Sequence, residues 1–163
     1  MAEIVNVRID ERLVHGQVAG LWVNALKASR IMVIDDDAAN NKLQIMGLKM
    51  AVPQGIKLSV LPVQVAAKKL SDKENYPNER IMIIFRNPET LLRALEDGCS
   101  FSSVNVGNMS AKDGTRRIFS YISVAPNQEK IFHEMDEKKG VSFFTQLTPN
   151  DDKKPFIPML DHH

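Results

Sequence analysis

The stretch "IVNVRIDERLVHGQVAGLWVNALKASRIMVID", residues 4–35, decides the fold. Its first part, IVNVRI (4–9), is rich in β-branched residues and reads as a strand. In GQVAGLWVNALKAS, Val18, Leu21, Trp22, Ala25 and Leu26 then fall at i, i+3, i+4, i+7 and i+8, which is one apolar face of a helix. RIMVID (30–35) is a strand again, nearly continuous in apolar residues as a strand buried on both faces is. Strand, helix, strand repeated along a chain gives a mostly parallel sheet, because parallel neighbours need a crossover to return the chain to the same end.

The same alternation continues. Strands are predicted at 57–62, 80–85, 102–107, 118–124 (IFSYISV) and 141–147, and helices at 37–50, 63–71, 88–97 and 126–138. Asp37 is placed to cap the second helix, and Pro53 lies beyond its end. The expected fold is α/β: a single domain over 1–163 with an open, mainly parallel sheet of about seven strands and helices on both faces. No long helix precedes IFSYISV, so an antiparallel edge strand is expected there. The polar loop SDKENYPNE (71–79) reads as a surface turn. Trp22 and the methionines at 32, 46, 50 and 82 fit core positions.

Composition bounds the function. At 163 residues, with 44% hydrophobic and 25% charged, the chain is long enough for a core without staples. The 21 basic and 20 acidic residues nearly cancel, so no net field recommends a nucleic acid or an anionic membrane as partner. An anion site has to be local. Cys99 is alone, which excludes an internal disulfide and a clustered-thiol zinc site, suits a reducing compartment, and reads as a small buried hydrophobe. The start has no signal-peptide core, and apolar runs such as IMIIF are too short to cross a bilayer, so a cytoplasmic protein is expected. The final LDHH reads as native or as the remains of a tag at 161–163, and His162 and His163 receive no functional weight.

Ligands of open α/β sheets gather beyond the carboxyl ends of the strands, where residues 10–15 fall. With a helix starting near Gly16, His15 sits at its N-terminus, where free N–H groups and the helix dipole attract an anion and favour the neutral, nucleophilic imidazole. Arg8 and Arg12 add planar forks that match phosphate oxygens. Asp10 is placed to accept from one ring nitrogen and leave the other free to attack. Spacing alone leaves open a structural histidine among solvated arginines, a transient nucleophile of a phosphohydrolase, and a sensor that holds a phosphate ester. No second histidine or cysteine is near enough for zinc, and HGQVAG lacks the opening G-x-G of a dinucleotide fingerprint, so no metal and no cofactor is expected.

"VRIDERLVHGQV" (7–18) resembles the active-site segment of the IIB subunits of the mannose-type (mannose, fructose, sorbose) bacterial sugar phosphotransferase system. The likeness runs on through IMVIDDDAANNKLQIMGLKMAVP, FRNPETLLRAL and VNVGNMSAKDGTRRIFSYISV, most of the chain. One departure is Asn108, in VGNM, where the family often has a second glycine. The resemblance implies a phosphohistidine–sugar phosphotransferase that takes a phosphoryl group on His15 from a IIA partner. It would pass the group to a hexose or amino sugar entering through IIC and IID membrane subunits, at the inner face of the membrane. By the same resemblance His15 is the phosphorylated residue and Arg8 and Arg12 are phosphate ligands; Asp10 is read as catalytic beside His15, and Gly16 and Gln17 at the helix start as further phosphate-binding candidates.

The remaining polar residues have plainer readings. Asp35, Asp36 and Asp37 suit caps and turns, and Asn105 and Asn108 suit turns. Lys112, Arg116 and Arg117 either face a partner or lie on a solvated loop. His133 reads as a surface or boundary histidine of an amphipathic helix.

Overall fold

A computed structural model describes residues 2–162 of the protein; His163 lies outside them. In chain order its elements are β1 (Glu3–Asp10), α1 (Gly16–Leu26), β2 (Arg30–Ile34), α2 (Asp36–Ala39), α3 (Lys42–Ala51), β3 (Lys57–Leu61), α4 (Val63–Ser71), β4 (Arg80–Phe85) and α5 (Pro88–Glu96). They continue with β5 (Ser103–Asn108), β6 (Arg116–Phe119), β7 (Ile122–Val124), α6 (Pro126–Lys138), β8 (Ser142–Thr145), β9 (Lys154–Pro155) and α7 (Ile157–Asp161).

The main sheet has seven strands in the order β3-β2-β4-β1-β5-β8-β9, all parallel except β9. From β1 the chain first steps outward to β2 and β3, then returns through β4 and passes to β5 on the other side. Right-handed crossovers in opposite directions put their helices on opposite faces. One face accordingly packs Ala19, Trp22, Val23 and Leu48 of α1 and α3. The other packs Ala66, Leu91, Ala94, Phe132, Met135 and Leu160 of α4 to α7. The β2 and β4 runs RIMVI and RIMIIF are buried from their second residue on, which explains their lack of alternation. Phe132 meets Phe143 edge-on at 5.1 Å and Phe156 at 4.8 Å, so the C-terminal segment is fastened by aromatic contacts. Burying one such ring contributes about 1.5–3 kcal/mol.

Several of these expectations need correction. Residues 118–124 are not one strand: the chain turns at Ser120 and Tyr121, and β6 and β7 form an antiparallel pair in a sheet of their own. The antiparallel edge of the main sheet is instead β9, paired with β8. The helix expected over 37–50 is broken at Asn40 and Asn41, because Asp35 caps α2 through the Ala38 N–H and Asn41 caps α3 through the Gln44 N–H. Met46 and Met50 are 61% and 87% exposed on α3, whereas Met32 and Met82 are in the core. Cys99 is half-buried, and burial with the nearby Asp97 charge pushes its thiol up to about 11. The surface turn after α4, the buried Trp22 and the parallel crossover of residues 4–35 are as expected.

Candidate active site

β1 runs between β4 and β5 at the point where the connections change direction, and its carboxyl end opens into the loop 11–15. Crevices form at such points. The β4 ladder ends at Ile9 opposite Phe85, and the β5 ladder shifts register between Ile9 and Asp10, passing over Gly107 to reach Asn108. The loop is held inward by Leu13 and Val14, buried with Ala19, Trp22 and Val23. Leu13 has φ 60°, a left-handed conformation that turns the chain back toward α1. His15 is the extended residue before α1, and Gly16, at φ +42°, begins the helix with the backbone freedom that glycine allows.

Asp10 is the hub. It is 1% exposed, and its Oδ1 accepts the Arg12 backbone N–H at 2.9 Å, with the Arg12 Nε 3.5 Å away. Its Oδ2 lies 3.2 Å from His15 Nε2 and 3.5 Å from Arg8 Nε. Two guanidiniums and an imidazole therefore share one carboxylate. Accepting from Nε2–H fixes the ring tautomer and leaves Nδ1 with its lone pair.

The two arginines are not equivalent. Arg12 has a side chain 49% exposed, so its guanidinium can reach a ligand from solvent. Arg8, expected as a second phosphate ligand, is 1% exposed beneath Asp10. Its Nη1 donates to the Gln146 carbonyl at 3.2 Å, its Nη2 lies 3.5 Å from the Leu147 carbonyl, and its Cζ stands 5.5 Å over the Trp22 ring. Burial pulls the guanidinium below its ordinary value, and Asp10 opposes that pull. In this structure Arg8 lies against Asp10 and the carbonyls of Gln146 and Leu147, buried from solvent. Gly16 and Gln17 are exposed in the first turn of α1, whose N–H groups have no intrahelical partner.

The support of this hub was not legible in spacing. Asn105 is fully buried on β5, where its Nδ2 donates to the Gln146 carbonyl at 2.9 Å and its Oδ1 accepts the Gln146 N–H at 2.9 Å. Trp22 Nε1 donates to the Leu147 carbonyl at 3.2 Å. Asn105, Trp22 and Arg8 together hold the segment after β8 over the site. The other polar residues take structural roles. Asp35 caps α2 and pairs with Arg86; Asp36 accepts the Val63 N–H and pairs with Arg93. Lys112 pairs with Glu11, Arg116 with Glu129, and His133 with Asp161 at 2.7 Å. Asn108 gives its carbonyl to the Glu11 N–H, while Asp37 and Arg117 are exposed.

Comparison with known proteins settles the class. Residues 4–163 match the model of the PTS system sorbose subfamily IIB component. The chain belongs to that family. This IIB component is 31% identical to the fructose-specific EIIB component of Bacillus subtilis over 98% of this chain and 97% of that one. It is 30% identical to the mannose-specific EIIAB component of Escherichia coli, over 94% of this chain and 46% of that longer protein. The crystal structure of the IIBSor domain of the sorbose permease from Klebsiella pneumoniae superposes with a TM-score of 0.90 at 28% identity, covering 98% and 96% of the two chains. A IIB component takes a phosphoryl group from a IIA component and transfers it to a sugar, so this chain is a phosphotransferase subunit of sugar transport. Among its described residues no helix is long and apolar enough to cross a membrane.

Proposed function

We propose that His15 carries the phosphoryl group on Nδ1. The observation that supports this most is the 3.2 Å contact of its Nε2 with Asp10, which leaves Nδ1 as the free nucleophile at the carboxyl end of β1. Nδ1 attacks the phosphorus of the phosphohistidine on IIA; the new P–N bond forms as the donor's P–N bond breaks, and the donor imidazole keeps the electron pair. Arg12 and the N–H groups of Gly16 and Gln17 hold the phosphoryl oxygens, neutralising charge that builds in the transition state. Asp10, backed by Arg8, stabilises the positive charge that develops on the ring. In the second step a sugar hydroxyl attacks phosphorus as its proton passes to a base of the sugar-binding subunits or to water; the P–Nδ1 bond breaks and Nδ1 keeps the electron pair.

On this reading the chain is a mannose-type phosphohistidine–sugar phosphotransferase, with 1–163 as one IIB domain; the family match over 4–163 supports that extent. It works in the cytoplasm, peripheral to the membrane, and its acceptor is a hexose or amino sugar held by IIC and IID subunits. The names of the relatives, specific for fructose, sorbose, mannose and N-acetylgalactosamine, support that substrate class. The test is incubation with a phosphorylated IIA donor. The parent should take an acid-labile, base-stable label that persists in water, and His15→Ala should take none. Labelling of the variant at the parent's rate, or rapid loss of label to water from the parent, overturns the reading.

A further inference from the structure

Asp10 is the last residue of β1: β4 is paired only as far as Ile9, and on the β5 side the register shifts past Gly107 so that Asp10 pairs with Asn108. The turn from Asp10 to His15 lies past this last pair and needs a hold of its own. The next residue supplies it. The Glu11 N–H donates to the Asn108 carbonyl at 3.1 Å, continuing β1 past the break. The Glu11 carboxylate accepts the Ser110 N–H at 3.1 Å and also bonds the Ser110 hydroxyl and the Lys112 ammonium. The segment it grips is itself tied down. Met109 N–H donates to the Tyr121 carbonyl at 3.0 Å, and the Ser123 N–H donates to the Met109 carbonyl at 2.8 Å. Lys112 closes a turn with Thr115, its N–H donating to the Thr115 Oγ1 at 3.0 Å.

We propose that Glu11 is a positioning residue of phosphoryl transfer, clasping the His15 loop to the 109–115 loop so that Asp10 holds the His15 ring. The proposal rests on the reading of His15 as the phosphoryl carrier. Glu11 touches no reacting atom; it acts through Asp10. Loss of the clasp lets Asp10 shift relative to the His15 ring by a fraction of an ångström, which loosens its hold on Nε2, and reaction rates fall steeply with such misplacement. Docking of the donor is left largely as it was. The effect therefore belongs to kcat and to the ring tautomer.

The test compares the parent, Glu11→Gln, Glu11→Ala and the double variant Ser110→Ala with Lys112→Met. Two quantities are measured: transfer from phosphorylated IIA, and the imidazole nitrogen resonances of the unphosphorylated protein. Glu11→Ala should lower kcat about tenfold with KM within about twofold, and should replace the single Nε2–H tautomer of His15 by a mixture. Glu11→Gln, which keeps an oxygen for the Ser110 N–H, should fall between it and the parent. The double variant removes the Ser110 hydroxyl and the Lys112 ammonium but keeps the Ser110 N–H, so like Glu11→Gln it should fall between the parent and Glu11→Ala; a parent-like kcat and tautomer signal there overturn the proposal if Glu11→Ala fails to fold. Parent-like kcat, or an unchanged tautomer signal in a clasp-less variant, overturns the proposal. If His15→Ala is labelled like the parent, the carrier reading fails instead, and the tautomer comparison still decides the clasp.

Discussion

The Arg8 guanidinium fills the space that a side chain at position 107 would need: a Cβ on Gly107 would lie 2.3 Å from Arg8 Cζ. The register shift between Ile9 and Asp10 passes over this glycine. The break in the ladder and the burial of Arg8 are thus one feature. Gly107→Ala should destabilise by about 1–3 kcal/mol through overpacking. It should also slow transfer from IIA, because Arg8 must move off Asp10 to make room. Thermal denaturation and the transfer rate, measured together, check both.

Asp10→Asn removes the charge that compensates Arg8 while keeping the shape. Breaking a buried pair from one side leaves the other charge uncompensated, a loss of about 3 kcal/mol. Arg8 and Asp10 are both 1% exposed, so solvent offers little relief. The variant should melt lower and transfer more slowly, with the rate falling more than the final extent of phosphorylation. Rate and extent with a IIA donor separate the two.

Arg12→Lys is the complementary case. The side chain is half in solvent, so its loss removes little packing. A lysine keeps the charge but not the planar fork that matches phosphoryl oxygens. Transfer should slow markedly while stability stays within about 0.5 kcal/mol of the parent. An equal loss of stability and rate would mark Arg12 as a structural residue.

The parallel crossover of residues 4–35 was readable because a period-3.6 apolar stripe separates two β-branched runs, and both signals are local. Asp10 and His15 were readable for the same reason: they are five residues apart on one loop. The division of labour between Arg8 and Arg12 was not, since it depends on Gly107, Trp22 and the carbonyls of Gln146 and Leu147, all distant in sequence. Glu11 and Asn105 stayed hidden because their partners are brought close only by the β1–β5–β8 pairing. In residues 116–124 the turn at Ser120 and Tyr121 has neither glycine nor proline, so two short strands read as one. Leu43, Met46 and Met50 of α3 look like core by type but face solvent, which hydrophobicity alone does not reveal.

The Glu11 clasp has a defined pH dependence. Burial pushes its carboxyl up, but hydrogen bonds from Lys112 and Ser110 outweigh that and hold it below its usual 4.5. A depressed folded value means that the contribution is complete above the unfolded value and is lost as pH falls through the folded one. Between neutral pH and pH 5 the loop 109–115 should therefore keep its amide shifts, and below 4.5 those of Ser110 and Lys112 should move together. A carboxyl titration of Glu11 at or above 4.5 would contradict this.

On the proposed reading, Asp10 reserves Nε2 of His15 and leaves Nδ1 for the phosphoryl group. The most direct measurement is nitrogen–proton and phosphorus NMR of the nitrogen-15-labelled protein after phosphorylation by a IIA donor. The account predicts one phosphoryl group, bonded to Nδ1 of His15, with a proton retained on Nε2. A phosphoryl group on Nε2, or on any other residue, would contradict it.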